Sequence, residues 1–412
     1  MSKSKLCLVA VFLTLPIQLS KFFFPNYSYI LGIPIDYRAI SIYLIDIAVI
    51  TYIIIFLLEN AKNLKKIVKL QKNYLIALSI FDVYLFLNSY FFSTSQQASL
   101  VFTTKIFLFS FTSIFAAFQL AEKKLFKKIV LALSFSALWQ IILAALQFMF
   151  QKTIGLWFLG ERSFDSTTTA IAHTDLFGAQ YLRPYGTFPH PNVMGAFFAI
   201  IFIITFFYLK DTTGRKRQNA KTKRYDLFLI ALPALGVILS FSKGSLLVLV
   251  AAFLIYRRNI KDLLLAILLL PVVIYFAIHF SPDVQIPTIA ERLTLIQASF
   301  NITHTNPIFG IGSNNFILAL SKLDLRSLSD TRLLQPVHNV FLLILTENGI
   351  IGLLFFAGVL LAVSRNINNN LKLSLFLALL IFASVDHFLW TLEQGQLLFF
   401  LTIAIINTKT PV

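Results

Sequence analysis

Between Gln335 and Phe356 the chain reads QPVHNVFLLILTENGIIGLLFF. Pro336 is followed by His338 and Asn339, then by an apolar stretch in which Gly349 and Gly352 stand three apart, with Gly358 six further on. A histidine side chain ordinarily titrates near ~6.5, so it can take up and return a proton near neutral pH. At the mouth of a membrane helix it costs less than at the centre, because it still meets water and substrate. His338 is therefore read as the proton-handling group, against the ordinary alternative of a structural histidine. His173, His279 and His304 have no comparable setting and are read as surface or interfacial.

Phosphate chemistry needs cations, and three stand at the ends of apolar stretches. Arg183 lies in YLRPYGTFPHPN, Lys243 in FSKGS, and Arg292 stands beside Glu291 at the opening of an amphipathic run. Arginine offers a fork of charge-assisted hydrogen bonds and lysine a point charge, a set suited to a phosphate or diphosphate. The alternative is snorkelling to lipid headgroups. Around Arg183, three prolines (Pro184, Pro189, Pro191) keep the backbone extended and Gly186 permits a close approach. His190 and Asn192 then precede an apolar helix, and Asn192 is either its N-cap or a contact to substrate. Asp386 and His387, near Trp390 and Glu393, either orient His338, contact an acceptor sugar, or anchor an interface. His190, Asn192, Asn339, Asp386 and His387 thus make up the possible substrate contacts. Asp165, His173 and Asp175 match no trusted metal-ligand spacing. Gly310-Ile-Gly312 has neither the length nor the βαβ setting of a nucleotide loop. No metal and no organic cofactor are expected.

The elements that must carry these residues are membrane helices. Of 412 residues, 58% are hydrophobic and 13% charged, with mean hydropathy +0.79, which excludes a pair of soluble domains. Cys7 is the only cysteine, so no internal disulfide or cysteine-based metal site exists. Apolar windows of spanning length (~17–25 residues) fall near 6–24, 38–58, 74–92, 98–120, 129–150, 192–209, 226–241, 245–256, 263–280, 339–363, 372–389 and 396–408. The first follows Lys3 and Lys5 as a signal peptide would, but no small-residue cleavage site follows, and it is read as a span. The expected organisation is all-α and polytopic, with about twelve transmembrane helices: five in 1–150, a loop at 151–191, four more in 192–280, a long loop with helical pieces at 281–338, and three helices in 339–412.

Charge distribution tests that topology. With the N-terminus inside, 24 of the 35 lysines and arginines fall at cytoplasmic ends, although the two longest loops lie outside. The net charge of +17 therefore fixes orientation beside anionic membrane lipid and does not mark a nucleic-acid binder. Both termini are placed in the cytoplasm, and His338, Arg183, Lys243 and Arg292 at the outer surface.

Taken together, these residues resemble the bacterial O-antigen ligases and the related O-antigen polymerases. His338-Asn339, nine residues, then Gly349-Ile-Ile-Gly352 is similar to the ligase signature. Arg183-Pro-Tyr-Gly-Thr-Phe-Pro-His-Pro-Asn192 resembles the family's Arg-x-x-Gly-Thr-Phe…Pro-Asn segment. Ser242-Lys243-Gly244 stands where the family has Ser-Arg-Gly, and Arg292 precedes Asn306-Pro-Ile-Phe-Gly-Ile-Gly-Ser-Asn-Asn-Phe316. Lys243 is the departure, since a lysine cannot make arginine's two-pronged contact. The resemblance implies a glycosyltransferase of GT-C-type architecture in the bacterial plasma membrane, working on its outer face. Its donor would be a glycan on undecaprenyl diphosphate, and its acceptor a hydroxyl on lipid A–core, on another lipid-linked glycan or, in some members, on protein. The reaction would be inverting and metal-independent. Ligase and polymerase remain open, as does oligomeric state. A transporter or flippase of a lipid-linked glycan is the reading from another class. It calls for ionisable residues near the midplane and repeated halves; Asp46 and Asp82 are the acidic residues within the early spans, and no repeat is evident.

Overall fold

A computed structural model of the chain describes residues 1–176, 178–213, 220–257, 282–323 and 333–409. Its first apolar run divides at a proline. Helix α1 (Lys3–Thr14) ends just before Pro16, which brings no N–H to continue it, and Ser20–Phe23 is already extended as strand β1. The window 6–24 is thus helix as far as Thr14 and a short strand from Ser20, not one spanning helix. A tiny ribbon follows, β2 (Tyr29–Ile30) against β3 (Ile33–Pro34), turned through Leu31 and Gly32, both at positive φ. Strand β4 (Ile40–Tyr43) then returns antiparallel to β1, with Ser20 opposite Tyr43 and Phe23 opposite Ile40.

Helices follow almost without interruption. Asp46 caps α2 (Leu44–Asn60) by accepting the Tyr43 N–H at 2.9 Å. Next come α3 (Leu64–Leu70), α4 (Lys72–Phe91), α5 (Gln96–Gln119) and α6 (Lys123–Phe150). The loop after α6 carries a hairpin, β5 (His173–Leu176) and β6 (Ala179–Leu182). Helix α7 (Pro191–Thr213) begins on a proline, whose missing N–H costs nothing at that position. Then come α8 (Ala220–Leu239), α9 (Lys243–Arg257), α10 (Pro282–Thr305), the short α11 (Phe316–Leu320), α12 (Val340–Ser364), α13 (Asn370–Val385), the short α14 (Phe388–Thr391) and α15 (Glu393–Ile406).

Among the described residues, six helical stretches are long and apolar enough to cross a membrane: 44–70, Lys72–Phe91, Gln96–Gln119, Lys123–Phe150, Pro191–Lys210 and Val340–Ser364. Their length and composition are those of an all-α, multi-pass membrane protein, and the described residues add three small two-stranded ribbons that hydropathy did not foretell. Windows 372–389 and 396–408 appear as shorter apolar helices. The window 263–280 lies outside the described residues.

Polar contacts sort the helix ends into two groups. At one end the Glu59 carboxylate accepts the Lys3 N–H at 2.8 Å, and the Gln71 amide donates to the Asn407 carbonyl at 3.4 Å. At the other, Ser99 donates to the Ser313 carbonyl and Asn192 to Asp386. The candidate site residues all belong to this second end.

Helix α12 is broken where its signature glycine stands. Gly349 has φ 67° and ψ −175°, inside an otherwise helical run. Residues 307–312 lie along the break and satisfy it: Ile350 N–H donates to the Pro307 carbonyl at 2.9 Å, and Gly312 N–H to the Glu347 carbonyl at 2.7 Å. A Cβ at 349 would fall 2.1 Å from the Ile308 carbonyl oxygen. Both the left-handed φ and the close approach demand glycine. Gly349→Ala is therefore expected to cost about 2–4 kcal/mol, seen as a lowered unfolding temperature of the purified protein. An unchanged midpoint would show that the break relaxes without cost.

Candidate functional site

Helix α13 ends at Val385, and the next residue, Asp386, is extended at φ −156°, ψ 162°. This turn presents one carboxylate to three elements. Asp386 Oδ1 accepts the His387 N–H at 2.7 Å and faces His338 Nδ1 at 3.5 Å. Asp386 Oδ2 accepts the Asn192 side-chain amide at 2.7 Å. Asn192 in turn accepts from Arg183 Nη2 at 2.9 Å, and Arg183 Nε and Nη2 both donate to the Ser240 carbonyl, at 3.2 and 2.9 Å. A continuous polar chain thus runs from His338 through Asp386 and Asn192 to Arg183. It joins the starts of α12 and α7 to the ends of α13 and α8.

Electrostatics follow from this geometry. Burial alone would raise the Asp386 carboxyl, but the His338 imidazole facing it, with His387 and His190 around it, holds it well below the usual carboxylate range. Burial pushes His387 down to about 3, although Asp386 opposes the shift. His190 is pushed down to about 3 as well, by burial and then by the Arg183 charge. Both are neutral at physiological pH. Burial also lowers Arg183 to about 10, against the pull of Tyr185 and Asp386, and it stays cationic near neutrality.

The remaining expected residues divide by role. Arg292 donates to the Val385 carbonyl at 3.2 Å, one residue before Asp386. Lys243 opens α9, exposed, within electrostatic reach of both Arg183 and Arg292. Asn339 is the N-cap of α12: its oxygen accepts Leu342 N–H at 2.9 Å while its amide donates to the Ser384 carbonyl at 3.0 Å. Both ends of that amide are occupied, which ties the start of α12 to the end of α13 and fixes His338 beside Asp386. Asn192 is not the cap of α7. His190 Nδ1 accepts the Asn192 N–H at 3.1 Å, which frees the Asn192 side chain to bridge Arg183 and Asp386.

A cavity of about 400 Å³ opens beside this chain. His190, His338, Asp386 and His387 stand on its wall together with Tyr37, whose ring meets His387 edge-on at 5.8 Å. Arg183, Lys243 and Arg292 are not on that wall. Arg183 is linked to the wall of this cavity through Asn192 and Asp386. The three cations gather near the ends of α8 and α13 and the start of α9.

His338, Asp386 and His387 each offer one ligand atom, all within 4.8 Å of one another. Asp386 is already engaged by His387 N–H, Asn192 and His338, an arrangement that orients an imidazole. Asp165 accepts from Thr167 and Thr168, and His173 contacts the Ser166 carbonyl, both within their own loop.

Several residues at the site went unforeseen. Lys105, Arg162 and Tyr37 all line the cavity. The available signal for Lys105 was its isolation, a single lysine well inside the window 98–120. Arg38 lies beneath the N-terminal ribbons, fully buried, donating to the carbonyls of Tyr27 and Asn314 and to Asn315 Oδ1 at 3.0, 2.7 and 3.1 Å. It clamps that segment to the loop that fills the break in α12.

No curated protein matches the chain. Residues 228–357 match the family model described as O-antigen ligase, Wzy_C, a stretch that contains Lys243, Arg292, His338 and Gly349 but neither Arg183 nor Asp386. Over that segment, which is less than half of the chain, the protein is similar to the O-antigen ligases.

Proposed function

We propose that the chain is an inverting glycosyltransferase that moves a glycan from undecaprenyl diphosphate to an acceptor hydroxyl on the outer face of the bacterial plasma membrane. Lipid A–core is the acceptor in the ligase form of this reading, and another lipid-linked glycan in the polymerase form. A GT-C-like scaffold of about twelve spans, with both termini cytoplasmic, would hold the site. The observation that supports the reading is the placement of His338 Nδ1 3.5 Å from a buried carboxylate, Asp386, which the imidazoles around it hold well below the usual carboxylate range.

With Nδ1 directed at Asp386, the nitrogen left for chemistry is Nε2. As the acceptor oxygen attacks the anomeric carbon, its proton passes to His338 Nε2. The new C–O bond forms while the bond from that carbon to the diphosphate oxygen breaks, and Asp386 stabilises the imidazolium so formed. The leaving diphosphate gains negative charge in the same step. Arg183, Lys243 and Arg292 supply compensating charge that counts most in the transition state. Every partner in this scheme is a lipid-linked or glycan substrate, and the scheme needs no metal ion.

The test uses purified protein, an undecaprenyl-diphosphate-linked oligosaccharide, and lipid A–core or a second lipid-linked glycan, all with EDTA. A new glycosidic product under chelation is the expected result. Movement of the donor across a bilayer without any product would favour transport and overturn the reading.

A further inference from the structure

The cavity beside His338 has a second charged pole that the transfer scheme leaves unused. Lys105 sits well inside α5, a helix apolar and long enough to cross the membrane. A charge there is expensive and calls for a reason. Its Nζ donates to Glu393 Oε2 at 2.5 Å and to Ser41 Oγ at 3.1 Å, lies 3.4 Å from Asp46 Oδ2, and sits 5.0 Å above the Tyr43 ring. Stability alone does not explain such a group, because an apolar replacement of a buried ion pair is often neutral or stabilising.

Lys105 and Glu393 line the same cavity as His338 and His387. The volume of about 400 Å³ falls within the ordinary range for a small-molecule pocket. Its wall mixes carboxylates with Lys105 and Arg162, so it does not select an anion. The diphosphate-type cations lie off it. Two buried acceptor atoms on its wall, Gln18 Oε1 and Glu393 Oε1, accept from no N–H or hydroxyl among the described residues. Buried acceptors ordinarily find donors. A ligand dense in hydroxyls supplies donors to these oxygens and acceptors to Lys105 at once.

We propose that Lys105 and Glu393 form the far wall of a saccharide subsite, which holds the terminal sugar of the acceptor and determines which acceptor is used. The proposal deepens the transfer reading and rests on it for the word acceptor. It divides the site into a cationic region for the diphosphate and a separate, charge-balanced cavity for the incoming sugar, with His338 on the wall of the second.

The test measures binding of two water-soluble saccharides to the full chain in lipid nanodiscs, by calorimetry and without donor. One is the saccharide portion of lipid A–core; the other is the oligosaccharide released from the lipid-linked donor. One of the two is expected to bind, which also separates ligase from polymerase. Lys105→Met and Glu393→Gln should each weaken that binding about tenfold or more, and the double variant should stay weak. Absence of binding of either saccharide to the unaltered chain overturns the proposal. So does restored binding in the double variant, since that is the signature of a pair that only neutralises itself. Where a single variant does not fold, the double variant, which buries no unmatched lysine, decides. Binding that depends on Lys105 in a protein that transfers nothing leaves the subsite standing and refutes the transfer reading.

Discussion

His338→Ala is expected to lower glycan transfer by about 10²–10⁴-fold, the usual contribution of a positioned general base. Binding of the lipid-linked donor should change little, because the diphosphate is assigned to Arg183, Lys243 and Arg292, none of which touches this ring. The loss should therefore appear in kcat. The fold should survive, since His338 is partly exposed and the start of α12 is held by Asn339. Product formation from a fixed donor, with the unfolding temperature as control, measures both. A His338→Ala protein that transfers as fast as the unaltered chain removes the base and with it the mechanism.

Asp386→Asn is expected to cost about 10²–10⁴-fold, the upper figure being the loss when the orienting aspartate of a serine-protease triad is replaced by asparagine. The carboxylate does two things that an amide cannot. It turns His338 so that Nδ1 faces it, and it balances the positive charge that the ring acquires during the reaction. An amide at 386 also places N–H groups against the Asn192 amide or the His338 ring, where acceptors are needed. Residues that act as one unit are strongly non-additive. The pair His338→Ala with Asp386→Asn should thus be scarcely slower than His338→Ala alone. Additive losses in the double variant would separate Asp386 from the imidazole and assign it to the Arg183 side.

How much of this was legible in the sequence depends on what fixes each feature. The helix over 192–209 was legible because a nearly continuous apolar run has few other ways to satisfy its backbone in a membrane. The window 6–24 was not, because hydropathy cannot tell an apolar helix from an apolar strand, and only Pro16 marks the change. Arg183, Asn192 and His338 could be singled out because each stands where chain leaves or enters an apolar run. Their connection could not, since Asn192 and Asp386 are 194 residues apart and the bridge exists only when α7 meets the end of α13. Asn339 shows the opposite case. Its place in the signature suggested a role toward substrate, whereas its amide caps α12. The cavity was invisible for a plainer reason: its lining comes from the first ribbons, α5, the loop after α6 and the turn at 386–388, segments with no shared pattern.

Arg38 carries one more consequence. Its guanidinium binds the first forty residues to Asn314 and Asn315, next to the strip of chain that seals the gap in α12. The matched segment 228–357 therefore cannot work as a detached module. Cut out by itself, it would lose the ribbons that wall the cavity, the carboxylate beside His338 and the arginine at the far end of the polar chain. Sequence change near the amino terminus should be felt at the reaction centre, and hybrids made by exchanging halves between relatives should fail at this seam before they fail at the catalytic groups.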